Sequence, residues 1–243
     1  MRALSASELL SVWERGLAQS PVERALALLI AANPEAAPDD MARLSIGQRD
    51  AQLLTLREWM FGSQLVSLAS CSDCGEQLEL AFEVSDIRAG QSHQSQALAM
   101  SAAGYEVDLR LPNSLDLAAI AGHDSTEAHR MLIGRCVSRV QREGADAPLD
   151  QLPEDVKTAI SEQMALADPQ ANVELALACP ACGHQWQAVF DIAAFFWSEI
   201  NAWAIRLLRE VHAIASAYGW READIVTLSP MRRQLYLDMI GRF

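Results

Sequence analysis

Two stretches of the chain alternate apolar and polar residues with period two on either side of a short turn. Leu65-Val-Ser-Leu-Ala69 leads into the first turn, and Leu78, Leu80, Phe82 and Val84 alternate with Glu79, Ala81 and Glu83 after it. Val173, Leu175 and Leu177 lead into the second, and Trp186, Ala188, Phe190 and Ile192 follow it. Period two is the repeat of a half-buried strand, so each stretch predicts strand, turn, strand. Tyr105-Glu-Val-Asp-Leu-Arg-Leu111 alternates in the same way and predicts a strand that joins both hairpins in one small sheet.

Elsewhere the apolar residues recur at helical spacing. Ser7 is placed to cap a helix over about 8–17, and Ser20-Pro21 opens a second whose residues 25–32 are nearly all apolar and therefore buried. Asn33-Pro-Glu-Ala-Ala-Pro-Asp-Asp, with two prolines, predicts an acidic loop. A third helix over about 48–61 stops at Gly62, and the polar run 89–97 predicts a loop. Residues 114 to about 140 read as helical, with a break at Gly122-His-Asp-Ser125 where Ser125 caps the second part. Leu152-Pro-Glu-Asp opens another helix to about 165.

Towards the C-terminus, Phe196, Ile200, Trp203, Leu207, Val211, Ile214 and Tyr218 fall at steps of three and four, one apolar stripe on a long helix that Gly219 ends. A short helix at 221–226 and a last one opened by Ser229-Pro230 follow.

The two turns carry the chemistry. They read Cys71-Ser-Asp-Cys74-Gly75 and Cys179-Pro-Ala-Cys182-Gly183-His184. A Cys-x-x-Cys turn points both sulfurs at one tetrahedral metal, and the following glycine supplies the positive φ. Cys71, Cys74, Cys179 and Cys182 together predict one structural Zn2+ per chain, with His184 as an alternative ligand. Two local disulfides, or four unliganded thiols, remain open at this point. A four-thiolate shell leaves no position for water or substrate, which disfavours chemistry at the metal. Cys136, the fifth cysteine, falls on an apolar helix face.

Charge narrows the function. The 243 residues carry 32 acidic and 19 basic side chains, a net charge of −13, and four thiolates around zinc would add about two more negative units. Such a chain lacks the clustered Lys and Arg that release counterions from a nucleic-acid backbone. No run reaches the roughly twenty apolar residues of a membrane span, and the first residues lack the layout of a signal peptide, so the cytoplasm is the expected location. There is no phosphate-cradling glycine loop, no GxSxG turn and no HExxH. His123-Asp124 resembles a phosphohydrolase metal dipeptide but has no partners at defined spacing, so no enzyme activity is expected. Arg232 and Arg233 on the last helix invite a helix-turn-helix reading, against which the acidic chain argues.

The expected fold is α+β: zinc-ribbon-like paired hairpins with a small sheet covered by helices, and a helical C-terminal segment. The expected parts are an N-terminal helical segment 1–62, a ribbon core 63–192 with a helical insertion at about 112–165, and a C-terminal segment 193–243. Ligands from both halves of the chain make these one interwoven unit.

Leu208-Arg-Glu-Val-His212 through Tyr218-Gly-Trp220 to Arg232-Arg233 and Tyr236-Leu237 resembles the tail of the T-even-type phage baseplate-protein family. Gly47-Gln-Arg-Asp50, Phe61-Gly62 and the Cys179-Pro-Ala-Cys182-Gly183 block are similar to members carried with phage-tail-like contractile injection systems. The resemblance implies a non-catalytic baseplate component or assembly factor that contacts hub or wedge proteins. Trp197, Trp203, Tyr218, Trp220, Arg232 and Arg233 are the candidate contact residues by side-chain type. A zinc-ribbon nucleic-acid-binding or regulatory protein is the alternative, and a metalloenzyme using His123, Asp124 and His129 is a second.

Overall fold

The computed structural model describes residues 1–90 and 97–240. In chain order it contains α1 (Ala6–Gly16), α2 (Pro21–Ala32), α3 (Pro38–Arg43), α4 (Ile46–Phe61), β1 (Gln64–Ser70), β2 (Gln77–Glu83), α5 (Val84–Ile87), β3 (Ala97–Ala102), β4 (Tyr105–Arg110), α6 (Ser114–Ile120), α7 (Ser125–Cys136), β5 (Val137–Arg142), β6 (Ala145–Asp146), α8 (Glu154–Ala167), β7 (Val173–Ala178), β8 (Gln185–Phe190), α9 (Ile192–Tyr218), α10 (Glu222–Val226) and α11 (Pro230–Ile240). Residues 91–96 of the expected polar loop lie outside the described residues.

Several element boundaries depart from expectation for local reasons. Ser5, not Ser7, caps α1, because Glu8 three residues on returns a bond to the Ser5 N–H and closes a capping box. Pro38 opens the short α3 inside the expected acidic loop, since its missing N–H costs nothing at a first helical position. Asp124, not Ser125, caps α7 by accepting from the Thr126 and Glu127 N–H groups. The expected helix to about 140 ends at Cys136, and Val137–Arg142 instead pairs with β4 as β5. β-Branched Val137 and Val140 favour that pleated surface, and a register shift at Asp108/Leu109 absorbs the irregular junction.

The chain divides into two units, residues 1–35 with 192–243, and residues 36–191. In the first, α9 buries Phe196, Ile200, Ala204, Leu207, Val211 and Ile214, with Leu10, Ile225 and Val226 among the residues of its core. Trp13 Nε1 donates to Asn201 Oδ1 at 3.0 Å, which satisfies an indole N–H packed among apolar groups.

The second unit holds three antiparallel sheets. Among the described residues β1 pairs only with β2, β7 only with β8, and β3-β4-β5-β6 form a four-stranded meander. The 105–111 strand therefore does not join the hairpins. Its inward residues Tyr105, Val107 and Leu109 pack instead with Ile133, Val156, Ile160 and Met164 of α7 and α8. Fully buried Asp116 ties this layer together, accepting from Arg110 Nη2 at 2.9 Å and Arg135 Nε at 2.8 Å.

Two long-range clamps hold the chain just ahead of β7. Buried Gln170 accepts from the Ala89 N–H at 2.8 Å and donates to the Ile87 carbonyl at 3.2 Å. Buried Asp168 accepts from the Gly47 N–H at 2.8 Å, placing a carboxylate at the positive N-terminal end of α4. A side chain at Gly47 would overlap that carboxylate. Gly47→Ala is therefore expected to lower the unfolding free energy by about 1–3 kcal/mol in urea titration.

Burial pushes the Asp50 carboxyl up to about 6, against the pull of Arg49, whose Nε lies 2.8 Å away; Asp191 and Asp168 add to the rise. An unfolded Asp titrates near 3.9, so between these values the folded chain holds a proton that the unfolded chain has lost. The resulting stability is complete below about pH 4 and disappears as pH rises through about 6. Asp50→Asn should flatten that fall in urea midpoints measured from pH 4 to 7.5.

Candidate metal centre

The two hairpins present their turns with one geometry. Ser70 pairs with Gln77 and Ala178 with Gln185, leaving a six-residue turn in each case. The first cysteine N–H donates five residues ahead, Cys71 to the Glu76 carbonyl and Cys179 to the His184 carbonyl, both at 2.8 Å. The glycine N–H returns to the first cysteine, Gly75 to the Cys71 carbonyl and Gly183 to the Cys179 carbonyl. Those glycines have φ of 77° and 76°, a conformation that a side chain resists.

All four sulfurs converge. Cys71 Sγ lies 3.7 Å from Cys182 Sγ, Cys74 Sγ lies 3.6 Å from Cys179 Sγ, and the four atoms fall within 4.8 Å of one another. A disulfide needs about 2.0 Å, and all four are free thiols. A tetrahedral ion with metal–sulfur bonds of about 2.3 Å needs sulfurs about 3.8 Å apart, so the spacing and the donor set suit a four-thiolate site. The first cysteine of each turn is buried and the second exposed.

Electrostatics within the cluster point the same way. The Cys74 N–H, helped by the Asp73 N–H and neighbouring sulfurs, draws the Cys71 thiol down to about 6. The Glu76 N–H favours a Cys74 thiolate, but its sulfur neighbours Cys179 and Cys71 push that thiol up. At Cys182 the His184 N–H pulls downward, and desolvation with three sulfur neighbours outweighs it, holding the thiol up at about 12. One negative sulfur is welcome there and a second is resisted. A divalent cation is what allows four thiolates at this spacing.

Around the sulfurs the hairpins touch through few side chains. Leu78 is buried with Cys71 and Cys179, with Leu80 and Trp186 against them. Phe82 and Phe190 meet edge to face at 5.6 Å. Each follows the second cysteine of its turn by eight residues, so the sequence held this signal. His184 stacks on Trp186 and its Nε2 lies 3.1 Å from Ser72 Oγ, a bond from one turn to the other that leaves the sulfurs alone.

Among the described residues, no other group of three or more His, Cys, Asp or Glu offers such convergence. Asp124 is occupied as a helix cap, and His129 Nε2 lies 2.9 Å from Ser161 Oγ. Burial pushes the Cys136 thiol up to about 11, the setting of an unreactive core cysteine.

A family model for the T4 bacteriophage base plate protein matches residues 18–197. The chain belongs to that family. The match includes both cysteine turns and Gly47, and ends before the 208–237 block that carried most of the resemblance. No curated protein and no solved structure matches the chain.

The six candidate contact residues of this baseplate-family protein part company. Trp197 is half-buried, packed on Gly16 with the Arg24 guanidinium 4.8 Å above its ring, and Trp203 packs against the core of its unit. Arg233 is buried, donating to Glu210 Oε2 at 2.7 Å and to the Leu228 carbonyl at 2.6 Å. It serves inside the chain. Tyr218 and Trp220 stack at 5.2 Å and both contact the Tyr236 ring at the surface, and Arg232 is exposed.

Cobalt titration checks the ligand set. Thiolate-to-cobalt absorbance should be lost or severalfold weaker in Cys182→Ser and intact in His184→Ala.

Proposed function

We propose that this baseplate-family chain is a zinc-stabilised, non-catalytic component or assembly factor of a contractile tail or phage-tail-like injection system. It is made in the bacterial cytoplasm and joins hub or wedge proteins through surface contacts. The observation that carries the metal part is the convergence of four free sulfurs at tetrahedral spacing. The family supports the baseplate part.

Zinc suits the thiolate donors and supplies a closed structural cross-link, with no coordination position left for a reactant. Exposed Tyr218 and Trp220, with Arg232 nearby in sequence, give the C-terminal segment side chains of the kind that anchor interfaces. The nucleic-acid alternative finds little support. The two hairpins carry Asp73, Glu76, Glu79, Glu83 and Glu174 and no Lys or Arg.

Metal analysis of chain purified without added zinc should give about one zinc per chain, with four thiols protected until chelation. Cys71→Ser should lower zinc content and thermal stability together. Chain without metal, or with all thiols freely reactive, would refute the zinc part. For the assembly part, the tagged chain should co-sediment with baseplate hub or wedge proteins of its own gene cluster, and its deletion should stop particle formation.

A further inference from the structure

A two-stranded sheet has two outer edges, and the ladder of the first hairpin shows which peptide groups face outward. The Val84 N–H donates to the Ser63 carbonyl at 2.9 Å, and the Cys71 N–H donates to the Glu76 carbonyl at 2.8 Å. Bonded pairs in an antiparallel ladder recur every second residue, so Leu65, Ser67 and Ala69 are bonded to β2. Gln64, Val66, Leu68 and Ser70 turn their N–H and C=O groups away from it. Arg57 Nη2 takes the Gln64 carbonyl at 2.7 Å and closes the start of the edge. Among the described residues nothing covers it further on, and Val66 and Leu68 are 49% and 70% exposed.

Proteins ordinarily blunt such an edge with a charge, a proline or a bulge. The outward positions of β2 carry Glu79 and Glu83, and those of β7 carry Glu174. β8 offers one apolar residue, Val189, between glutamine positions and the end of its strand. β1 has no charge and no proline over all seven residues. Its outward positions combine unpaired peptide groups with two apolar side chains.

We propose that the β1 edge over Val66–Ser70 is a docking site for an extended segment of a partner protein whose strand is flanked by Lys or Arg. This deepens the assembly reading and rests on it. Main-chain bonds supply the attachment, and Val66 and Leu68 select apolar side chains at alternate positions of the incoming strand. Charge decides the class of partner. The two hairpins carry five carboxylates and no cationic side chain, and four thiolates around zinc make the ribbon more negative still. A second copy pairing through the same edge would bring two such ribbons together, whereas a basic-flanked strand is drawn in.

The test uses the full metal-loaded chain and a fluorescein-labelled peptide, Lys-Val-Thr-Val-Thr-Val-Lys. In the free protein, amide exchange by NMR should be fast at Val66 and Leu68 and slow at Leu65 and Ser67. The peptide should slow the first pair. Leu68→Pro, which removes an outward N–H and the apolar side chain beside it but no bond to β2, should keep its cobalt absorbance and weaken peptide binding by about tenfold or more. Backbone N-methylation of the peptide should do the same with the protein untouched, and replacing its lysines by glutamates should weaken binding at low salt.

Undiminished binding by Leu68→Pro, or by the N-methylated or glutamate-flanked peptide, would overturn the proposal. So would slow exchange at Val66 and Leu68 in the free protein with a doubled mass, the result expected if a second copy fills the edge. Leu68→Pro chain that still enters baseplate particles would remove the edge site and leave the assembly reading standing. Failure of the unaltered chain to enter them would remove that reading itself.

Discussion

The convergence of four sulfurs from turns 105 to 111 residues apart is the constraint on which the 36–191 unit depends. A lone two-stranded hairpin is marginal in water, and this unit contains two that, among the described residues, join no larger sheet. Their shared apolar cluster contains only Leu78 besides Cys71 and Cys179, with Leu80 and Trp186 against it. At about 1.5–3 kcal/mol for each fully buried side chain, that is too little to hold four strands together. A metal held by all four sulfurs would close a loop of about a hundred residues and, in the chain-entropy model, restrict the unfolded chain by roughly 4–5 kcal/mol before any ligation energy is added. The clamps at the other end work in the same direction. Gln170 and Asp168, just ahead of β7, bind backbone a few residues past β2 and at the start of α4, so the base of the second hairpin is held as well as its turn.

What the sequence made legible is the part whose causes are local. Cys-x-x-Cys-Gly turns between alternating strands announced both hairpins, and the three- and four-residue steps from Phe196 onward announced α9, because each signal is contained in a short window. The misplacements also have local causes. Ser5 and Ser7 are both capping residues, and only the Glu8 bond back to the Ser5 N–H distinguishes them. Val137–Arg142 was hidden because a strand beginning directly after Cys136 extends an apolar pattern that already reads as helix. The Ser72–His184 bond, the Gly47–Asp168 clamp and the Asp116 network join residues that no local window contains, and no spacing rule would have paired them. Arg233 read as a candidate contact residue by side-chain type, and its bond to Glu210 on a different helix lies outside any local window.

Charge is divided as sharply as structure. Residues 1–35 and 192–243 carry nine basic and nine acidic side chains, so the whole net charge of −13 belongs to residues 36–191. The ribbon contains the extreme of that bias, five carboxylates without a cation, around a cluster that itself favours a divalent ion. A strongly acidic ribbon repels copies of itself, which matters for a chain with uncapped strand edges. The same field attracts basic segments. Self-repulsion and the proposed preference for a basic-flanked strand thus follow from one distribution of charge.

A closed thiolate cluster also explains why the hairpins need not be larger. Extending each to three or four strands would stabilise it by ordinary burial, but would pair the edge that now lies open. Holding two short hairpins together at their turns leaves their outer edges free while the interior remains fixed. A metal held there would make the arrangement depend on reduced thiols. In a member of a baseplate family, this exchange of sheet size for accessible edge is what the proposed docking of an extended partner strand would use. The converging sulfurs and the open edge thus lie a few residues apart along β1.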